Sequence, residues 1–598
     1  MNDSPHHASV SEVDRPVGPV DAKVAWGSDV AAQMLRRLDI PWIALNPGAS
    51  YRGLHDSLVN HLGNERPEML LCLHEEQAVA IAHGYAKATG KPMAVALHSN
   101  VGLMHGSMAI FNAWCDRQPM LILGATGPVD AAQRRPWIDW VHTSQDQGAL
   151  VRNFIKWDDQ PASVAALPES FLRAYQQADT GPKGPVYVCI DAAIQEERIE
   201  GDFAFPDAAR YSPPPPPRPD ADALARAAAL LAGAKRPVIL FGRGSRDQAA
   251  WDNRVSLAER TGAGIMSDLK AGSMAPSDHP QHIGAPFNKL HKAGREALVD
   301  ADLIVSIGWI DLGGLLRQAF GADTPDTTIV HAGQDLHLHN GWGKEHAAMP
   351  PVDIHMICDP DAAVADLLAA LPSDVTPAAF KTAERDEISP PPSGAITQRY
   401  LATALKAAVG DRPVTFPCLP RGWPVAVMPH RDPLAYLGKD GGGGIGSGPG
   451  VTIGAALALR DSGRLVIGVT GDGDCLMSIN ALWTAARYGI PAMIVVANNR
   501  SYFNDEMHQE TVALDRGRNP ANRAIGQAIA DPAPDIARMA EGQGVEARGP
   551  ITRAEDLEPA LREGVAAISA GRPFLVDVLV DPMHGREAPL GAAGRGKA

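Results

Sequence analysis

Two short motifs place chemistry-bearing residues directly behind apolar runs. Thr470-Gly471-Asp472-Gly473-Asp474-Cys475 follows the run 465–469, and Asn498-Asn499-Arg500-Ser501-Tyr502 follows the run 492–497. Twenty-four residues separate Gly473 from Asn498. The Asp472 carboxylate and the Asn499 amide oxygen are hard donors. Octahedral Mg²⁺ takes one or two such ligands and completes its shell with phosphate oxygens and water. The glycines let main-chain N–H groups approach phosphate, and a following helix would offer its N-terminus. Residues 477–488 read as one helix, which would make the two runs neighbouring parallel strands. Gly-Asp-Gly alone is an ordinary turn. Its pairing with Asn-Asn, each piece behind a strand, points to a cation holding a diphosphate.

Three further segments carry candidate chemistry. His74-Glu75-Glu76-Gln77 follows the run 69–73 and opens a helical stretch containing Gly84-Tyr85-Ala86. Acids there would complement a helix dipole even without a further role. Gly441-Gly442-Gly443-Gly444-Ile445-Gly446-Ser447-Gly448-Pro449-Gly450, preceded by Asp440, is a glycine loop leading into a helix over 451–459. His98-Ser99 follows the run 93–97, and Asn46-Pro47-Gly48-Ala49-Ser50 follows the run 42–45.

The elements that must position these residues repeat one pattern three times. Short, continuously apolar runs alternate with Ala-rich helical stretches, the signature of strands buried on both faces of parallel sheets. The fold class expected is α/β, with three consecutive doubly wound parallel-sheet domains. Ligands of such sheets sit at the carboxyl ends of strands. Proline-rich stretches at 212–219 and 389–393 act as linkers, because proline lacks the N–H donor and fixes φ. The expected division is an arm (1–21), a first domain (22–200), a linker (201–219), a central domain (220–372), a linker (373–395), a third domain (396–585) and a tail (586–598).

Composition narrows the function classes. With 45% hydrophobic and 21% charged residues the chain is globular, and a net charge of −15 argues against general nucleic-acid binding. The six cysteines are scattered without a CxxC, so neither a disulfide framework nor a structural zinc site is expected. No apolar run approaches the roughly 18 residues of a membrane span. The first 21 residues lack an apolar signal core. A soluble cytoplasmic protein is expected.

The spacing of Gly-Asp-Gly and Asn-Asn resembles the signature of thiamine-diphosphate enzymes, the superfamily of acetolactate synthase, pyruvate decarboxylase and benzoylformate decarboxylase. The resemblance covers nearly all of 22–585. It implies pyrimidine-binding, central and diphosphate-binding domains in that order. It implies thiamine diphosphate and Mg²⁺ as cofactors, with Asp472, Asn499 and the Ser501 carbonyl as metal ligands. Gly471, Gly473, Asp474 and Tyr502 would lie around the diphosphate end. Asp474 stands where a small polar residue is common. Glu75, nine residues before Gly84, matches the glutamate that hydrogen-bonds the pyrimidine N1′ and favours the tautomer able to remove the C2 proton. Glu76 does not fit that spacing. Ile445, beside Gly444, matches the aliphatic residue that props the cofactor into a bent shape. The family places its site between the first domain of one subunit and the third of another, so a homodimer or homotetramer is implied.

Branch within the family turns on His98. Synthases usually carry small residues there, whereas His-Ser looks like benzoylformate decarboxylase and its relatives, in which this histidine faces the substrate. Glu75 and His98 are the expected catalytic residues. Ala49, Ser50, Asn112, Phe503 and His508 are candidates for the substrate pocket, whereas His105 and His142 read as structural. The expected activity is 2-oxo acid decarboxylation with carboligation as a side reaction. The alternatives are an acetolactate-synthase-like transferase or another C–C lyase or hydrolase. An NAD-dependent oxidoreductase lacks its GxGxxG motif here, and the presence of Glu75 argues against an inactive regulatory subunit. The segment 241–246 could form a phosphate turn in the central domain, which leaves FAD open without a motif that supports it.

Overall fold

The computed structural model describes residues 14–21, 23–286, 289–337, 348–379, 396–439 and 441–581. The proline-rich stretch at 389–393, Asp440 and the tail lie outside them. The described residues form two compact units: residues up to 379 together with Pro429–Gly444, and residues 396–428 together with the chain from Ile445.

The first unit holds two six-stranded sheets. One comprises β1 (Trp42–Leu45), β2 (Glu68–Leu71), β3 (Met93–Leu97), β4 (Met120–Thr126), β5 (Trp157–Asp159) and β6 (Pro185–Asp191), in the order β2-β1-β3-β4-β6-β5. The other comprises β7 (Pro237–Phe241), β8 (Gly264–Ser267), β9 (His282–Gly284), β10 (Leu303–Ile307), β11 (Thr328–Gly333) and β12 (Ile354–Ile357), in the order β12-β11-β10-β7-β8-β9. The second unit holds β13 (Val414–Thr415), β14 (Leu465–Gly471), β15 (Ala492–Asn498), β16 (Glu546–Ile551) and β17 (Phe574–Leu579), in the order β13-β14-β15-β17-β16. Every pairing is parallel.

Burial explains the sequence pattern. β3, β4 and β6 are buried along their whole length. Each Val, Leu or Ile so placed stabilises the fold by about 1.5–3 kcal/mol. Gly102 and Gly106, on the Ser99–Cys115 helix, have no room for larger side chains. A Cβ on Gly106 would stand 3.3 Å from both Leu97 Cδ1 and Val79 Cγ2. The two glycines let that helix lie close to the Glu75–Thr89 helix.

Local departures from expectation have physical causes. The helix expected over 477–488 is two pieces, Asp472–Met477 and Ala481–Arg487. Between them Ser478 Oγ donates to the Asp474 carbonyl at 2.8 Å, a side-chain-to-backbone bond that competes with helix continuation. The helix after the glycine loop starts at Gly448, with Pro449 in its first turn, where a missing N–H costs nothing. The segment Pro429–Gly444 packs with the first unit although it follows β13 in sequence. Lys87 Nζ donates to the Gly438 carbonyl (3.0 Å), and Arg246 donates to those of Leu437 (3.0 Å), Ala271 (2.7 Å) and Ser273 (3.2 Å).

That arginine belongs to the segment considered as a phosphate turn. There Ser245 N–H donates to Asp361 Oδ2 (2.8 Å), and Arg243 donates to Asp335 (2.7 Å) and to the Cys115 carbonyl (2.9 Å). These donors are engaged by protein acceptors, whereas Arg243 Nε is buried without a hydrogen-bond partner. All six cysteines are free thiols. Among the described residues no helix is long and apolar enough to cross a membrane.

Candidate active site

The first unit gathers one half of the candidate residues at the carboxyl ends of β2, β1 and β3. The strand order reverses between β1 and β3, and a crevice opens where consecutive connections run to opposite sides. Ser50, after β1, and His98, after β3, bridge that crevice, with Ser50 Oγ 2.9 Å from His98 Nδ1. Ser50 Oγ also accepts the Ser99 N–H at 3.1 Å, which leaves it one proton to donate to His98 Nδ1 and one lone pair to accept from it. Where Ser50 donates, the neutral imidazole carries its proton on Nε2. Gly48 is a requirement of this arrangement. A Cβ there would stand 2.2 Å from the His98 ring, so any larger residue would displace it.

Two further contacts hold His98. The His142 ring meets it edge-on at 4.6 Å between centroids. Ser99 adopts φ +50°, a left-handed backbone costly for a non-glycine residue, and its Oγ donates to the His142 carbonyl at 2.5 Å. Burial, and then His142, lower the His98 pKa, and Glu75 partly opposes them. His98 is therefore neutral at pH 7. His142, read from sequence as structural, helps set both the orientation and the charge of His98.

Glu75 is the first residue of its helix and is buried. Its Oε2 lies 3.0 Å from His105 Nδ1, and its Oε1 faces Gly102, where a Cβ would approach to 3.2 Å. His74 caps the same helix, its Nδ1 accepting the Glu76 N–H at 3.1 Å, and stacks on His105 at 5.1 Å. His105, also read as structural, is thus a direct partner of Glu75. Sequence contained one signal for it: Gly102 and His105 share a helix face at i, i+3 spacing.

Other candidates fall elsewhere in this unit. Ala49 is exposed beside Ser50. Asn112 lies on the His98 helix but roughly 20 Å further along it. It is fully buried and donates to the Gly444 carbonyl at 3.2 Å.

The second unit gathers the other half behind β14 and β15, adjacent parallel strands in register. Asp472 is 2% exposed. The Ser501 N–H lies 3.0 Å from both Asp472 Oδ2 and Asn499 Oδ1, so one amide brings the two side-chain oxygens together. Burial pushes the Asp472 pKa up against the pull of main-chain N–H groups, and among the described residues no Lys or Arg pairs with it. A desolvated carboxylate beside an amide oxygen, without a protein cation, is a donor set that fits a hard divalent ion. Arg500, between Asn499 and Ser501, takes a left-handed φ of +57°. Ser501 Oγ donates to Glu506, which Arg523 holds in turn at 3.3 Å.

Around this pair, Gly471 has open space where a Cβ would stand, whereas the Tyr502 ring lies 2.6 Å from a Cβ built on Gly473. Asp474 is turned onto the glycine loop. Its Oδ1 accepts Gly446 N–H (2.6 Å) and Gly448 N–H (3.3 Å), and Thr470 Oγ1 donates to its other oxygen. Its negative charge therefore sits at the N-terminus of the Gly448–Leu459 helix, where it is stabilised. Ile445 is 43% exposed, Tyr502 37%. Phe503 opens the following helix, and His508 is exposed on it.

Comparisons with known proteins identify the domains. Family models described as the N-terminal TPP binding domain, the central domain and the C-terminal TPP binding domain of thiamine pyrophosphate enzymes match residues 25–151, 224–367 and 420–578. A benzoylformate decarboxylase of Pseudomonas aeruginosa is 27% identical, over 85% of this chain and 91% of that protein. An acetolactate synthase large subunit of Haemophilus influenzae is 24% identical, over 93% of this chain and 94% of that one. The solved structure of a thiamine diphosphate-dependent 4-hydroxybenzoylformate decarboxylase from Rhodococcus jostii superposes with a TM-score of 0.74. It covers 93% of this chain and 99% of that one at 22% identity, a likeness of fold.

Proposed function

From the premise that the chain belongs to the thiamine pyrophosphate enzyme family, we propose that it is a Mg²⁺- and thiamine-diphosphate-dependent 2-oxo acid decarboxylase with carboligation as a side reaction. The observation that carries this reading is His98, held against Ser50 where the strand order reverses between β1 and β3, with its pKa lowered by burial and by His142.

Asp472, Asn499 and the Ser501 carbonyl would hold the metal. Gly471 and Gly473 would flank the diphosphate, with Asp474 organising the glycine loop. Gly444 and Ile445 would line the rings, Tyr502 would lie beside Gly473 at the diphosphate end, and Glu75 would share a proton with the pyrimidine. Ala49, Phe503 and His508 would border the substrate. When bound, thiamine diphosphate supplies the electron sink for breaking the bond next to the carbonyl.

The chain's own groups then divide the remaining work. The His98 Nε2–H orients the substrate carboxylate. To deliver a proton to the carbon that has lost CO₂, the ring would first take one up from solvent as imidazolium and return to the neutral form on delivery. In a synthase that carbon must await a second carbonyl, and a proton donor nearby would divert it. By resemblance the working unit is a homodimer or homotetramer.

His98→Ala is expected to slow aldehyde release by about 10²-fold while leaving cofactor affinity nearly unchanged. The measurement is product analysis with aliphatic and aromatic 2-oxo acids in wild type and variant. Condensation products alone from wild type, with His98→Ala unimpaired, would favour the acetolactate-synthase-like activity.

A further inference from the structure

Glu75 has a second partner that the proposed chemistry leaves unused. His105 lies 3.0 Å from Glu75 Oε2 through Nδ1, and its side chain is 60% exposed whereas that of Glu75 is 9% exposed. Three features fix this contact. Gly102 and Gly106 draw the His105 helix against the Glu75 helix. Gly102 packs beside Oε1, where a Cβ would approach to 3.2 Å, and the contact with His105 is made through Oε2. The His74 ring lies nearly parallel to His105, at 16°, and is itself fixed by the Glu76 N–H.

We propose that His105 is a positioning residue for Glu75: by donating Nδ1–H to Oε2 it fixes the carboxyl so that Oε1 is the oxygen presented to the cofactor. The inference rests on the assignment of Glu75 above. A carboxylate only accepts, so the hydrogen bond requires the imidazole proton on Nδ1. A free histidine has no such constraint, and the tautomer is therefore a direct report of the contact. A carboxyl free to rotate would present its proton along varying directions, and loss of orientation is costly in proton transfer.

Two measurements test this. In the full-length protein without cofactor, ¹⁵N NMR of labelled histidines should show His105 as the Nδ1–H tautomer, with the signal assigned by its absence in His105→Asn. In Glu75→Ala it should revert to Nε2–H, and the same tautomer in both proteins would overturn the proposal. In the loaded protein, His105→Ala should slow C2 proton exchange of bound thiamine diphosphate by about 10-fold. His105→Asn, whose amide N–H can donate from a similar place, should restore most of the rate. Unchanged exchange in His105→Ala, or no rescue by His105→Asn, would also overturn it. Glu75→Gln separates the layers. If it exchanges as fast as wild type, the Glu75 assignment fails. If it is slow while His105→Ala is not, only the positioning role fails.

Discussion

Glu75→Gln is expected to slow exchange of the C2 proton of bound thiamine diphosphate by about 10²–10⁴-fold, the usual cost of losing a positioned acid–base group. Glutamine preserves the shape of the side chain at the start of the helix and can still accept from His105, but it cannot share a proton. Glu76→Gln should do much less. Its neighbour occupies the buried place at the β2 strand end beside Gly102 and His105, whereas the Glu76 main chain is used in capping by His74. Quenched-flow NMR of the bound cofactor reads the rate. Equal rates in wild type and Glu75→Gln would remove the residue from the mechanism.

The second large effect is expected at Asp472. Asp472→Asn keeps an oxygen to accept the Ser501 N–H, so the cofactor-free protein should melt close to wild type. It replaces the charged metal ligand by a neutral one. Ligands that bind only the native state stabilise it by mass action, about 2.7 kcal/mol at a hundredfold excess over Kd. Wild type should gain stability of that order with Mg²⁺ and thiamine diphosphate together, and Asp472→Asn should lose most of that gain along with turnover. A full gain of melting temperature in the variant would exclude Asp472 as a ligand.

Although β8 and β11, interior strands of the second sheet, were not singled out, strands buried on both faces were legible in sequence as unbroken apolar runs. β14 and β15 are of this kind, and their adjacency put the Asp472 and Asn499 loops side by side. Most edge strands were not, β2 being the exception. β12 alternates buried and exposed residues, β16 exposes Glu546 and Arg548, and β13 is two residues long, so none has a continuous apolar signal.

In the site, Glu75, His98 and Ser50 could be placed because each stands immediately behind a strand. His105 and His142 could not. Their partners lie 30 and 44 positions away in sequence, and only helix packing through Gly102 and Gly106, or the loop after β4, brings them close. Asp474, which stands where a small polar residue is common, has its carboxylate turned onto the Gly446 and Gly448 amides, a contact no local pattern announces.

The central claim is that turnover of a 2-oxo acid requires thiamine diphosphate and Mg²⁺ on this chain. The direct measurement strips the full-length protein with chelator and dialysis, then returns each component singly and both together. Melting temperature and aldehyde formation from a panel of 2-oxo acids are followed throughout. The prediction is a rise in melting temperature and aldehyde release only when both are present. Full turnover by the stripped protein, or a stabilisation produced by NAD and not by thiamine diphosphate, would contradict it.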